Sequence, residues 1–220
     1  MKLLVKFEKM GPARYISHLD LQRCVQRTLR LMEAPVAYSM GFNPHPLLSF
    51  AQALSLFMES RGEYFMVELI EDMEIPVFLE GFNLYGYDGI AAVAARELME
   101  GEKNPMARVA AASYTYHLDG SMEGMKEAME GFLREEEVWF EKKGKKGMKK
   151  ENMRTRVFDI ALSAEGELTM LVGCGEVNLP PRELVNALYE RMGNEARVEN
   201  WALMRTDLYY ANEKGYVPFL

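Results

Sequence analysis

The chain has 220 residues, a hydrophobic fraction of 49%, a charged fraction of 27% and a formal net charge of −7 at pH 7. This composition is typical of a soluble globular protein that buries its core in one large or two small domains. No apolar run approaches the roughly 18 residues of a membrane span, so we expect no membrane segment. The first residues alternate like a strand, so we also expect no signal peptide and a cytoplasmic location.

The charge is distributed unevenly along the chain. Residues 141–156 carry eight basic residues against two acidic ones, a segment charge of +6, which leaves −13 for the remainder. Salt screening confines the field of each patch to about 10 Å. A local basic region can therefore bind a polyanion although the whole chain is acidic.

The first half of the chain predicts the element order β-α-β-β-α-β. Residues 2–9 alternate between apolar and polar and predict a strand. Ser17 stands three residues before Asp20, a capping-box pattern that begins a helix near His18, and Pro35 ends this helix. The other predicted elements are a strand over 36–39, a loop over 41–46, an extended segment over 48–56, a strand over 63–71, a helix from 76 to about 82 and a strand over 87–98.

The second half predicts the same order again. Its elements are a strand over 108–118, a helix over 121–133, a short strand over 138–141, a hairpin of 156–162 with 167–172, a helix from 180 and a strand over 197–210, with the tail 211–220 unassigned. We interpret the chain as an α+β protein with two tandem ferredoxin-like modules, residues 1–100 and 105–220. In such modules helices cover one face of an antiparallel sheet.

Three arginines recur at helical spacing in the first predicted helix. Arg23, Arg27 and Arg30 form a basic stripe, beside which Arg14 also lies in the sequence. Guanidinium groups bind phosphates through paired hydrogen bonds. The sequence shows no acidic partner for the stripe, because Asp20 is assigned to the helix cap. The alternative is an ordinary solvated face.

Residues 41–46 (GFNPHP) predict a stiff loop. Each proline fixes its own φ and restricts the residue before it, and those residues are Asn43 and His45. Phe42, Asn43 and His45 suit stacking on unpaired bases and hydrogen bonding to them. The alternative is a rigid corner between two strands.

The lysine-rich segment over residues 142–150 is predicted to be a flexible loop that contacts phosphate. Two glycines interrupt its lysines, and the alternative is a solvated hairpin tip. The candidate phosphate ligands are Lys142, Lys143, Lys145, Lys146, Lys149 and Lys150.

The histidines leave a catalytic alternative open. His18 and His45 could act as general acid and base in RNA cleavage, because imidazole titrates near neutral pH. His18, His45, His117, Cys24 and Cys174 show no spacing typical of a metal site. We therefore expect no metal and no cofactor.

The segments "GPARYISHLDLQRCVQRTL", "AYSMGFNPHPLLSFAQAL" and "ESRGEYFMVEL" resemble the radical SAM-linked proteins, a bacterial family of unknown function also called DUF2344. RYISHLD and GFNPHP are its most specific blocks. The resemblance implies an RNA or ribosome context and a radical SAM enzyme as partner. It implies no catalytic residue.

These observations lead to one hypothesis and two alternatives. The hypothesis is a non-catalytic RNA-binding module that acts with a radical SAM enzyme in RNA or ribosome modification. Its partners are RNA or a ribonucleoprotein and that enzyme. The first alternative is a metal-independent endoribonuclease that uses His18 and His45. The second is a protein–protein adaptor for a radical SAM partner that does not contact RNA.

Overall fold

The computed structural model describes residues 1–102, 104–118, 120–144, 147–195 and 197–220, and it describes 142–144 by their backbone alone. The described residues form a mixed α+β fold with four α-helices and eleven strands. In chain order these are β1 (Lys2–Lys9), α1 (His18–Leu31), β2 (Leu48–Phe50), β3 (Glu59–Glu68), α2 (Ile75–Tyr85), β4 (Ile90–Glu97), β5 (Val109–His117), α3 (Met122–Arg134), β6 (Trp139–Gly144), β7 (Gly147–Asn152), β8 (Val157–Leu162), β9 (Glu167–Gly173), α4 (Pro181–Arg191), β10 (Leu203–Asn212) and β11 (Gly215–Pro218).

The chain divides into two compact units. The first contains Met1–Val109 and Asp207–Leu220, and the second contains Ala110–Thr206. The division falls within β10, whereas the sequence-based proposal assigned all of 105–220 to one module. That domain proposal stays a prediction.

The sheet of the first unit is antiparallel. β1 pairs with β4 on one side and with β3 on the other, and β3 also pairs with β2. The strand order is therefore β4-β1-β3-β2. β11 pairs with the end of β10, from Tyr209 to Asn212.

Both helices of the first unit pack on one face of this sheet. The alternation of β1 places Leu3, Val5 and Phe7 on that face, and all three are fully buried. They share one apolar cluster with residues of both helices, listed here: Leu21, Val25 and Leu29 of α1, and Phe78 and Phe82 of α2. Burial of aromatic and aliphatic side chains is the main stabilising term for such a layer. This core fixes which face of α1 remains in solvent.

In the second unit, β9 pairs antiparallel with β5 and with β8, and the strand order is β10-β5-β9-β8. Alternate residues of β9 are buried, as are the inward faces of α3 and α4. β6 and β7 form a separate two-stranded sheet, inserted between α3 and β8.

The structure corrects several predicted elements. Residues 36–39 form isolated bridges and no strand, and the extended segment predicted over 48–56 is a strand only as far as Phe50. Phe57 has a left-handed φ of 69°, so the chain turns there and does not continue as a strand. The lysine-rich segment predicted to be a flexible loop contributes residues 142–144 and 147–150 to β6 and β7. The unassigned tail contains β11.

Candidate functional site

The cap of α1 is confirmed. The Ser17 side-chain oxygen accepts the Asp20 backbone N–H at 3.2 Å, and the Ser17 hydroxyl donates to Asp20 Oδ2 at 2.7 Å. The hydrogen bond from Ser17 and then the contact with Arg23 hold the pKa of Asp20 below its usual value. An ionised carboxylate in the first turn also interacts favourably with the helix dipole. The cap therefore fixes where α1 begins.

The basic stripe lies on the solvent side of α1. Because the opposite face of the helix is buried in the first-unit core, the side chains of Arg23, Arg27 and Arg30 are exposed. The three residues span about 10 Å along the helix axis at 1.5 Å per residue. They present a row of guanidinium groups to solvent.

The expectation that the stripe has no acidic partner was wrong at its first member. Arg23 forms an ion pair with Asp20 Oδ1 at 2.8 Å, one helical turn away. Asp20 has two carboxylate oxygens, so it serves the cap through Oδ2 and Arg23 through Oδ1. Both side chains are more than half exposed, and an exposed pair of this kind is worth at most about 1 kcal/mol. A phosphate can therefore compete for Arg23.

Arg27 is held by an aromatic side chain. Its Nη1 donates to the Tyr87 hydroxyl at 3.2 Å, and its guanidinium lies 5.9 Å from the centroid of the Tyr87 ring. The hydrogen bond uses one of five guanidinium N–H groups and neutralises no charge. Arg30 makes no side-chain hydrogen bond or ion pair with any residue that the structure describes.

The loop that follows residue 37 is closed at its base by backbone hydrogen bonds. Ser39 N–H donates to the His45 carbonyl at 2.9 Å, and Leu47 N–H donates to the Ala37 carbonyl at 2.8 Å. Inside the loop, the Ser39 hydroxyl oxygen accepts the His45 backbone N–H at 3.1 Å and lies 2.8 Å from His45 Nδ1. Phe42 and Asn43 are exposed beyond this closure.

A shallow groove separates α1 from this loop. Two adjoining cavities of about 230 and 150 Å³ share Gln26, Arg30, Tyr38 and Pro46. The larger cavity also has Arg23 and Arg27 in its wall. We call this feature the α1 groove. It unites the basic stripe with the base of the loop, and Phe42, Asn43 and His45 lie on the loop outside its lining.

Arg14 is not part of the α1 groove. It lies in the 3₁₀ turn Gly11–Tyr15, where its Nη2 donates to the Tyr15 hydroxyl at 3.0 Å and its Nη1 lies 3.8 Å from Glu59 Oε1. The hydrogen bond to Tyr15 raises the pKa of the guanidinium. The structure thus gives Arg14 local partners of its own.

His18 packs into the fold at the beginning of α1. Its ring stands edge-on to Phe50 with centroids 5.7 Å apart, and its Nε2 lies 3.0 Å from Gln22 Nε2. Burial lowers the pKa of this imidazole; Glu63 raises it and Lys9 lowers it further. No contact among the described residues joins His18 to His45.

The candidate lysines lie in the second unit. Lys149 pairs with Glu151 at 3.7 Å, and Lys150 is exposed on β7. Lys142 and Lys143 belong to β6, and the structure describes only their backbone. Lys145 and Lys146 lie outside the described residues.

The sequence did not single out two residues that line the α1 groove, Gln26 and Tyr38, or Tyr87, which holds Arg27. Gln26 lies in the basic stripe's own helix, and its spacing from Arg23 and Arg30 indicates a shared face. Tyr38 immediately precedes the loop. Tyr87 lies 60 positions from Arg27, so no local pattern could have connected the two.

Among the described part of the chain, no group of three or more His, Cys, Asp or Glu side chains could hold a metal ion. No helix in the described ranges is both long and apolar enough to cross a membrane. Cys24 and Cys174 are not joined in a disulfide.

Residues 2–181 match the family DUF2344, described as an uncharacterised protein conserved in bacteria. The match spans most of the chain, and the chain therefore belongs to this family. It has no match among curated proteins.

Proposed function

We propose that this member of the DUF2344 family is a cytoplasmic, non-catalytic RNA-binding protein that acts with a radical SAM enzyme in RNA or ribosome modification. The observation that carries the proposal is the α1 groove. Three exposed arginines line it, and one of them, Arg23, has an acidic partner among the described residues.

The groove matches the chemistry of a nucleic-acid backbone. Guanidinium groups donate paired, charge-assisted hydrogen bonds to phosphate oxygens. Arg30 offers all five N–H donors, while Tyr87 holds Arg27 in place and leaves its charge free. Arginines arranged in this way contact the phosphates and sugars of RNA irrespective of its base sequence.

The loop beside the groove supplies groups suited to bases. Phe42 is fully exposed, and an exposed ring on a stiff loop offers a stacking surface for an unpaired base. If the Ser39 hydroxyl donates to His45 Nδ1, the neutral imidazole carries its proton on Nε2 and presents a donor to solvent. These features favour single-stranded RNA over a duplex.

Both units are inferred to be ferredoxin-like modules. The order β4-β1-β3-β2 in the first unit and β10-β5-β9-β8 in the second correspond when β6 and β7 are treated as an insertion. This correspondence supports the proposed tandem repeat. The lysines of the insertion would provide further phosphate contacts.

The test is RNA binding by charge-reversed protein. Fluorescence anisotropy of a labelled single-stranded RNA would compare wild type with the double variant Arg23→Glu/Arg27→Glu. Loss of two charge-assisted contacts is expected to weaken binding about tenfold or more. The matched control is Lys126→Glu/Arg134→Glu, which makes the same charge change on exposed positions of α3. An unchanged affinity in the first variant, or an equal loss in both, would refute the proposal.

A further inference from the structure

The second unit contains a larger groove. A cavity of about 610 Å³ lies among the beginning of β6, one face of α4 and the segment before β10. A smaller cavity of about 220 Å³ adjoins it and shares Arg197, Val198 and Glu199. Trp139 lies in the wall of the larger cavity and Trp201 in the wall of the smaller one. We call the combined feature the tryptophan groove.

These are the only two tryptophans in the sequence. Trp139 is 57% exposed and Trp201 is 66% exposed. Trp139 donates its indole N–H to Glu137 at 3.2 Å, which fixes one edge of the ring and leaves a face available. Large aromatic side chains in solvent are enriched at binding surfaces, and tryptophan is the best aromatic partner for a cation.

The charge of the groove is negative. Its lining contains four glutamates and two arginines, listed here: Glu141, Glu183, Glu190, Glu199, Arg182 and Arg197. Arg197 pairs with Glu190 at 2.6 Å and Arg182 with Glu183 at 3.2 Å. Glu141 and Glu199 form no ion pair with other described residues. Within the lining this leaves a surplus of two negative charges, which favours a cationic ligand. Lys150, opposite Glu141 on β7, belongs to the basic segment that begins at this wall of the groove.

The floor of the groove offers a hydrogen-bond donor. Asn186 is 7% exposed, and its side-chain oxygen accepts the Val198 backbone N–H at 2.8 Å. Asn186 lines the larger cavity, so a carbonyl oxygen of a ligand can accept a hydrogen bond from its amide NH₂.

We infer that the tryptophan groove binds a lysine- or arginine-rich extended segment of a partner protein. Basic side chains lie over the indole rings and against Glu141 and Glu199. A backbone carbonyl of the segment accepts a hydrogen bond from the Asn186 amide NH₂. This protein-binding site is separate from the α1 groove and does not depend on RNA binding there.

The two tryptophans make the groove directly observable, because all tryptophan emission of the chain comes from its walls. The probe is an acetylated and amidated octapeptide of alternating glycine and lysine, added to the full-length chain at about 50 mM salt to limit screening. A saturable change in emission is expected. The same peptide with glutamate in place of lysine is expected to produce none. Trp201→Phe leaves Trp139 as the sole reporter and should retain part of the response.

Charge-neutralising variants test the contacts. Glu141→Gln/Glu199→Gln is expected to weaken binding of the lysine peptide about fivefold, the effect of losing two exposed charge contacts. Glu127→Gln/Glu165→Gln makes the same charge change at other exposed positions of the second unit and should bind like wild type. Circular dichroism of each variant confirms that it folds.

Several outcomes overturn the inference. These are no saturable emission change with the lysine peptide, an equal change with the glutamate peptide, or an unchanged affinity in Glu141→Gln/Glu199→Gln. Oligouridylate is the remaining probe. If it changes the emission, and Glu141→Gln/Glu199→Gln strengthens its binding, the groove is an RNA site and the protein-binding inference is wrong.

Discussion

Arg27 and Tyr87 are joined by a hydrogen bond of 3.2 Å between the guanidinium and the phenol hydroxyl. The contact connects the exposed face of α1 to the segment between α2 and β4. Since Tyr87 is uncharged, it restricts the side chain of Arg27 without neutralising it. A guanidinium that is already ordered loses less conformational entropy when it binds a phosphate.

The first prediction follows from this contact. Tyr87→Phe keeps the ring and removes the hydroxyl, so Arg27 becomes less ordered. We expect the affinity for single-stranded RNA to fall about threefold, as for the loss of one ordinary hydrogen bond. Anisotropy titration measures the change. Tyr85→Phe, at another exposed tyrosine near the end of α2, should bind like wild type. Equal affinities for Tyr87→Phe and wild type would show that the hydroxyl does not contribute.

The second prediction concerns Ser39, whose hydroxyl contacts both the backbone N–H and the ring of His45. Ser39→Ala removes both contacts and allows the loop more conformations. RNA affinity is expected to fall about threefold, with little change in thermal stability because the loop is exposed. Ser55→Ala is the control at an exposed serine outside the loop.

A double variant separates this effect from general loosening of the loop. If Ser39 acts through His45, Ser39→Ala has no further effect once His45→Ala is present. Full additivity of the two substitutions would contradict the assignment.

The third prediction is a pH dependence of stability that comes from His18. Burial lowers the pKa of His18 in the folded chain below its ordinary value of 6.5. Between the folded and unfolded pKa values the unfolded state binds more protons, so this contribution to stability is present above pH 6.5 and is lost as the pH falls below it.

Thermal denaturation at pH 7.5 and pH 5.5 checks this effect (both values lie about one unit from the ordinary histidine pKa). Wild type is expected to lose more stability than His18→Gln between these conditions. His117→Gln, at an exposed position at the end of β5, is the matched control and should behave like wild type. The prediction fails if His18→Gln shows the same loss as wild type.

Local patterns in the sequence identified several features correctly. The Ser17 and Asp20 spacing located the cap of α1, and the helix predicted to begin at residue 121 does begin there, with Ser121 as its cap. In both cases the partners lie within one turn of each other, so a short sequence segment contains all the information. The basic stripe was predictable for the same reason, because helical periodicity and the buried face together define the exposed one.

Contacts between distant residues could not be predicted in this way. Lys6 Nζ lies 2.6 Å from Asp207 Oδ2, across 201 positions, and the Tyr64 hydroxyl donates to Asp207 Oδ1 at 2.6 Å. Burial and then the hydrogen bond to Asp207 raise the pKa of Tyr64 above its ordinary value. This network belongs to the first unit, whereas the sequence order alone assigned Asp207 to the second module.

The α1 groove shows the same division between local and distant information. Its arginines follow from helical spacing, but Arg27 depends on Tyr87 from a distant segment. The separation of His18 from the loop was also unpredictable, because it depends on packing against Phe50. Local sequence patterns therefore predict candidate residues, and the tertiary structure determines which of them share a surface.

The most direct test of the central claim is the salt dependence of RNA binding by Arg23→Gln/Arg27→Gln/Arg30→Gln. The logarithm of the affinity for single-stranded RNA falls linearly with the logarithm of salt concentration, with a slope of about −0.7 per phosphate neutralised. If all three arginines contact phosphates, the triple variant should show weaker binding and a slope about 2 units shallower than wild type. Parallel salt dependences in the two proteins would contradict RNA binding at the α1 groove.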